Sequence, residues 1–172
     1  MAKKALGRIF DLIPGFEPID LQTARNGDFV SLKNAGHLTV VVYKGVGTDG
    51  DDQTFTFQQA SDVAGTGAKN LSTIDEYWEK EATTDLTGTG TWTRVTQTAA
   101  ATVAPGDPSA QSAAMYVFEI DAADFDVANG FDCFRLQGDG AGSNAQLGCF
   151  IYILSELRFP GAPQNLPSAI ID

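Results

Sequence analysis

The residues best suited to chemistry in this 172-residue chain are few and scattered. His37 is its only histidine. One imidazole cannot supply the several nitrogen ligands of a jelly-roll metal enzyme, and it leaves a Ser-His-Asp triad a single candidate base. At the start of a strand such a histidine reads as a surface or interface residue. Asp49-Gly50-Asp51-Asp52 gathers the oxygen donors that calcium prefers, but it lacks the EF-hand order and the closing glutamate. Acidic residues with glycine are also ordinary turn formers. The run from Gly138 to Gly142 has the glycines of a phosphate loop without the Lys-Ser/Thr and helix that should follow, so it reads as a turn. Asp75, Glu76, Glu79 and Glu81 offer carboxylates of the kind that cleave glycosides in pairs, but their spacing reads more simply as a solvated face. Trp78 and Trp92, with Tyr77, suit either a sugar-stacking platform or a core or contact role. Cys133 and Cys149 lie in apolar runs and lack the spacing of a zinc site; two cysteines can form one bridge, but buried free thiols are the expectation in a reducing compartment. No catalytic, cofactor-binding or metal-ligating residue is expected, and the chain is not expected to be an enzyme.

Charge narrows the partners. The net charge is −11, and no basic residue falls between Arg94 and Arg135, a span that holds Asp107, Glu119, Asp121, Asp124, Asp126 and Asp132. Binding to duplex nucleic acid needs clustered Lys and Arg, so a direct nucleic-acid partner is not expected. No apolar run approaches the roughly 18 residues that span a bilayer, so no membrane partner is expected either. Lys3 and Lys4 resemble the start of a signal peptide, but Asp11 and Pro14 interrupt any apolar stretch after them. Synthesis in a cytoplasm is the expectation.

The elements that must position these residues read as strands. His37–Lys44 is a strong strand, and Gln53–Gln59 alternates with Phe55 and Phe57 inward. With the turn Gly45–Asp52 between them, the two read as a hairpin. Ala60–Leu71 reads as a loop. Ser72–Glu81 fits either a helix or a strand. Thr87–Thr91 reads as a turn, Thr91–Thr98 as a strand, and Ala99–Ala114 as a low-complexity loop. Met115–Asp121 places Tyr116, Phe118 and Ile120 on one face. Asp121–Asn129 holds at most a short helical turn, and Phe131–Gln137 and Leu147–Ser155 are strands. Strands and turns at this density predict an all-β fold, an antiparallel, jelly-roll-like β-sandwich.

Two of these strands are apolar on both faces. Leu147, Cys149, Ile151 and Ile153 back onto Phe150, Tyr152 and Leu154, and Leu38, Val40 and Val42 back onto Thr39, Val41 and Tyr43. A sandwich strand normally keeps one face wet, so a second apolar face needs a cover, either the chain's own ends or another subunit.

The ends are also apolar. Prolines at 14, 18, 160, 163 and 167 forbid long helices and central strands there. Yet Ile9, Phe10, Ile13, Phe16, Phe159, Leu166, Ile170 and Ile171 are too apolar for solvated tails. They are read as contact residues on extended arms. The expected organisation is an N-terminal arm over 1–28, a β-sandwich over 29–156 and a C-terminal arm over 157–172.

Residues 29–71, FVSLKNAGHLTVVVYKGVGTDGDDQTFTFQQASDVAGTGAKNL, resemble a segment of structural proteins of tailed bacteriophages, over about a quarter of the chain. Such proteins are typically small, all-β and capsid-associated. The resemblance implies a capsid decoration or cement protein, a homotrimer on the virion surface whose extended termini hold neighbouring major capsid subunits together. A head-completion, tail or fibre-base protein would share these features. A carbohydrate-binding sandwich using Trp78 and Trp92 is the rival reading.

Overall fold

The computed structural model describes residues 6–82, 91–106, 111–140 and 142–171. Within them the chain forms β1 (Phe10–Asp20), β2 (Arg25–Asn26), β3 (Val30–Ser31), β4 (His37–Lys44), β5 (Phe55–Ala60) and β6 (Lys69–Asn70). Then follow β7 (Ile74–Ala82), β8 (Thr93–Ala100), β9 (Thr102–Val103), β10 (Ala113–Asp121), β11 (Cys133–Gly138) and β12 (Leu147–Ser155). Short 3-10 turns at Ala122–Asp124, Val127–Asn129 and Pro163–Asn165 are the helical elements among the described residues.

The strands form two antiparallel sheets. The first has six strands in the order β1-β12-β4-β10-β7-β8. The second has the order β2-β11-β5-β6, with β3 also on β11 and β9 also on β5. This is the expected all-β antiparallel sandwich. Period-two alternation drives it: Leu38, Val40 and Val42 of β4, Tyr116, Phe118 and Ile120 of β10, and Phe150, Tyr152 and Leu154 of β12 are buried on the inner face. Phe55 and Phe57 of β5 meet them from the other sheet, with the Phe57 ring 4.9 Å from that of Phe118 and edge-on to it. One polar bond crosses this core, the Leu136 N–H donating to Tyr152 Oη at 2.9 Å. Gly27 makes room for that hydroxyl, since a Cβ there would sit 2.3 Å from it.

Several sequence expectations change. β4 and β5 are not a hairpin, because β4 lies in the first sheet and β5 in the second. The intervening loop carries the chain across the core, which lets Phe55 and Phe57 pack against β10 rather than lie beside β4. Ile74–Ala82 is a strand, not a helix, with Ile74 and Tyr77 buried. The stretch read as a loop over 60–71 includes β6, and that over 99–114 includes β9 and the start of β10. Residues 10–20, read as part of an arm lying on another surface, pair along β12 of the same chain. Pro14 and Pro18 are compatible with this because β1 is an edge strand, and the register shifts on either side of Phe16. Residues 1–5, the turn over 87–90, Asp107, Pro108, Ala141 and Asp172 lie outside the described residues.

Candidate interaction face

The outer side of the first sheet carries the most unusual chemistry of the fold, because it is apolar across most of its width. One cross-strand row runs Pro14, Ile151, Val41, Val117, Trp78 and Arg94. The next runs Cys149, Tyr43, Met115 and Lys80. On the other side Leu12 pairs with Ile153. Leu12, Tyr43, Trp78, Leu147 and Ile151 are among the exposed large hydrophobics of the chain. An exposed Leu alone needs no explanation, but a contiguous apolar patch marks an interaction surface.

The described parts of the terminal segments leave Tyr43, Trp78, Leu147 and Ile151 of this face exposed. The C-terminal segment instead runs past β1 to the rim of the sandwich. The Gly161 N–H donates to the Gly7 carbonyl at 2.8 Å and the Ser31 N–H to the Ala169 carbonyl at 2.7 Å. Hollows of about 300 and 260 Å³ flank residues 167–169, and Asp11 lines both. Burial raises the Asp11 carboxyl pKa against the lowering effect of the Leu12 N–H. The structure therefore brings the two ends of the chain together. Of the contact residues read from sequence, Ile13 is buried in the core and Phe16 packs against it, its ring 4.0 Å from that of Phe150. Leu166 is half-buried. Ile9, Phe10, Phe159, Ile170 and Ile171 are exposed, Phe159 most of all at 75%.

The top of the outer face is polar. His37 Nδ1 lies 2.8 Å from Asp121 and Nε2 lies 2.7 Å from Glu119, which also accepts from the Thr39 hydroxyl at 2.7 Å. With a carboxylate on each ring nitrogen, the imidazolium is the form that satisfies both bonds. Burial opposes its charge, but the bonds to Asp121 and Glu119 outweigh burial and the pKa is raised. A raised folded pKa gives stability that is fully present below the unfolded value of about 6.5 and is lost as pH rises through the folded value. Because the three groups are partly exposed, His37→Gln is expected to cost only about 0.5–1 kcal/mol at pH 5.5. The cost should vanish at pH 9, as read by denaturant midpoints, and an equal loss at both values would refute the imidazolium assignment.

The other chemistry-bearing residues serve the fold. Asp51 accepts from the backbone N–H groups of Ser143 and Asn144 and from the Asn144 amide, and Asp49 accepts from Gln111 at 2.7 Å. The Asp51 bonds clasp the loop before β5 to the loop before β12, and the Asp49 bond ties the same loop to the residues before β10. Among the described residues no group of three His, Cys, Asp or Glu is placed to hold a metal ion. The turn starting at Gly138 leads into β12, and its Asp139 accepts from the Thr56 hydroxyl at 2.9 Å. The carboxylates of β7 do not form one solvated face. Glu76 pairs with Arg94, whereas Glu81 accepts from the buried Tyr116 hydroxyl at 2.7 Å. The Glu79 pKa is raised by burial and then by the charge of Glu81. Cys133 is a buried thiol, while Cys149 is half-buried on the outer face.

Tyr77 points into the core, so it leaves the aromatic platform expected with Trp78 and Trp92. The two tryptophans do meet, lining a hollow of about 330 Å³ with Val117, and the Lys80 ammonium sits 4.7 Å over the Trp92 ring. Sequence reasoning found the doubly apolar β4 and β12 but missed that the patch extends onto β1, β10 and β7. The run Met115 to Phe118 carried that signal, being apolar on both faces as well.

No family model matches the chain, and no curated protein matches it. Among solved structures, that of the SPBc2 prophage-derived protein YomS is similar to this chain, with 11% sequence identity and a TM-score of 0.40, covering 84% of this chain and 92% of that one.

Proposed function

We propose that the chain is a structural protein of a tailed-bacteriophage virion. In this reading it decorates the capsid, bridges neighbouring major capsid subunits, and works without catalysis, metal or cofactor. The observation that carries the proposal is the apolar outer face of the first sheet, which calls for a protein cover that the described residues of the chain's ends do not supply. The resemblance of residues 29–71 to phage structural proteins gives that cover a setting. Copies of the chain meet through this face. The exposed side chains of the terminal segments, Phe159 and Ile171 foremost, touch the capsid. Many weak contacts on one shell then add through multivalency.

The test is co-sedimentation of the full chain with capsids of its phage. Burying each apolar side chain contributes roughly 1.5–3 kcal/mol, so Phe159→Ala with Ile171→Ala should weaken binding by about tenfold or more. Thermal stability should stay unchanged. Undiminished binding would remove the terminal segments from the mechanism, and no binding by the parent chain would remove the capsid.

The hollow shared by Trp78 and Trp92 favours a second reading, a glycan-binding sandwich. Indole faces stack on the C–H face of a pyranose. Saturable quenching of tryptophan fluorescence by a sugar, abolished by Trp92→Ala, would support it.

A further inference from the structure

The outer face also says how copies would meet. We propose that two copies of this chain pack outer face to outer face about a two-fold axis, with their strands antiparallel across the seam and Lys80 of each copy at the Glu119 end of the other. This deepens the reading of that face as the contact between copies and rests on it.

Size is the first support. The apolar rows cross five of the six strands. At about 4.8 Å per strand and about 3.4 Å per residue, three rows about six residues long cover roughly 490 Å² in plan. Side-chain relief and the polar margin add to that figure. A standard stable interface buries about 800 Å² on each partner, so the face is of the size of one contact and not of several.

Charge chooses the partner and its orientation. Two chains of net charge −11 repel, and they can close only through a surface without like charges. The row from Pro14 through Ile151, Val41 and Val117 to Trp78 is uncharged. Glu119 and Lys80 lie at opposite ends of the patch, and Arg94, at the β8 edge of the middle row, pairs with Glu76. Glu119 pairs across from Thr39 towards the start of β4, and Lys80 pairs across from Met115 towards its end. A three-fold arrangement with parallel strands would gather like ends, Glu119 beside Glu119. A two-fold axis in the plane of the face and perpendicular to the strands swaps top and bottom. It stacks each strand on its own copy and the middle row on itself, so each Lys80 ammonium, on β7, faces the Glu119 end of the second copy about one strand's width, about 4.8 Å, from β10. Sheets pack in this aligned way elsewhere in proteins.

A pair therefore replaces the trimer implied by resemblance, and light scattering on the full chain decides between them. A mass of two chains is expected. A mass of three would overturn the pair while leaving the face as a contact between copies, and a mass of one at high concentration would overturn both. Capsid binding is read separately, so its failure would not bear on the pair. A carboxylate placed in the seam by Val41→Glu should weaken pairing by about a hundredfold or more. Lys80→Glu and Glu119→Lys should each weaken it about tenfold, and the double variant should regain most of the loss. In one chain these two residues lie on different rows, so rescue can arise only between copies, and its absence would overturn the orientation. The unaltered protein gives a check that needs no variant. Cys149, on the seam, should react with a maleimide in dilute solution and become protected as concentration rises, and concentration-independent labelling would overturn the seam.

Discussion

Phe55→Ala is expected to lower stability by about 3–5 kcal/mol, the cost of deleting a fully enclosed aromatic ring. Phe55 has no exposed surface. Its ring is the meeting point of the two sheets, 5.8 Å from Tyr116, 6.2 Å from Phe118 and 5.9 Å from Phe150. It projects from β5 of the second sheet, while its three neighbours project from β10 and β12 of the first. Backbone ladders hold each sheet's own strands, so the cavity would open where no ladder can close it. Against a typical total of about 5–15 kcal/mol, the loss would be about a fifth or more of the fold's stability. The midpoint of urea unfolding should fall with little change in slope. Phe159→Ala is the matched control, because Phe159 is 75% exposed and its truncation should move stability by no more than about 0.5 kcal/mol. A Phe55→Ala loss as small as that of Phe159→Ala would show that the sheets are not joined through this ring.

The contrast between these two phenylalanines shows what the sequence could reveal. Alternation reports which way a side chain faces, and the inward assignment of Phe55 and Phe57 follows from their spacing with Thr54, Thr56 and Gln58. Alternation does not report which strand lies alongside. The pairing of β4 with β10 and β12, rather than with β5, depends on contacts between residues far apart in the chain. The connection from Gly45 to Thr54 is long enough either to turn back or to cross the core, and local chemistry does not choose. Proline is similarly ambiguous. Pro14 excludes a central strand but not an edge strand, because only one side of an edge strand needs its N–H groups. The outer face was legible in part, since β4 and β12 are apolar on both sides. Its extent became readable only once the register aligned Val117 and Trp78 with Val41. Glu79 and Glu81 were misread for a related reason. On a strand they face the same side as Tyr77, and Tyr77 faces inward.

That inward cluster of charge and hydroxyl has a consequence for stability at alkaline pH, where the protein is expected to pass through a maximum near pH 10. Lys44 is 1% exposed, and its ammonium donates to the Ser112 carbonyl at 2.6 Å. Burial lowers its pKa to about 8, partly offset by Glu81 and Asp52. A lowered lysine pKa means that folding disfavours the charged form. Below pH 8 both states hold the proton and the full penalty applies. Between about pH 8 and 10 the folded state has released it and the unfolded state has not, so stability rises by up to about 1.4 kcal/mol per pH unit. Three tyrosines act in the opposite direction. Burial raises the pKa of Tyr77 to about 12, and raises those of Tyr116 and Tyr152 further. Above pH 10 these phenols ionise in the unfolded chain but stay neutral in the fold, so stability falls. With three groups the slope reaches about 4 kcal/mol per unit, easing once Tyr77 ionises in the folded state as well. Urea midpoints taken from pH 7 to 11.5 would trace both limbs. Lys44→Met should flatten the rise and leave the fall, whereas Tyr152→Phe should make the fall shallower by about a third. A parent protein whose stability stayed level from pH 8 to 10 would show that the Lys44 ammonium is not held at a penalty, and that the inner end of the sandwich is wetter than its burial implies.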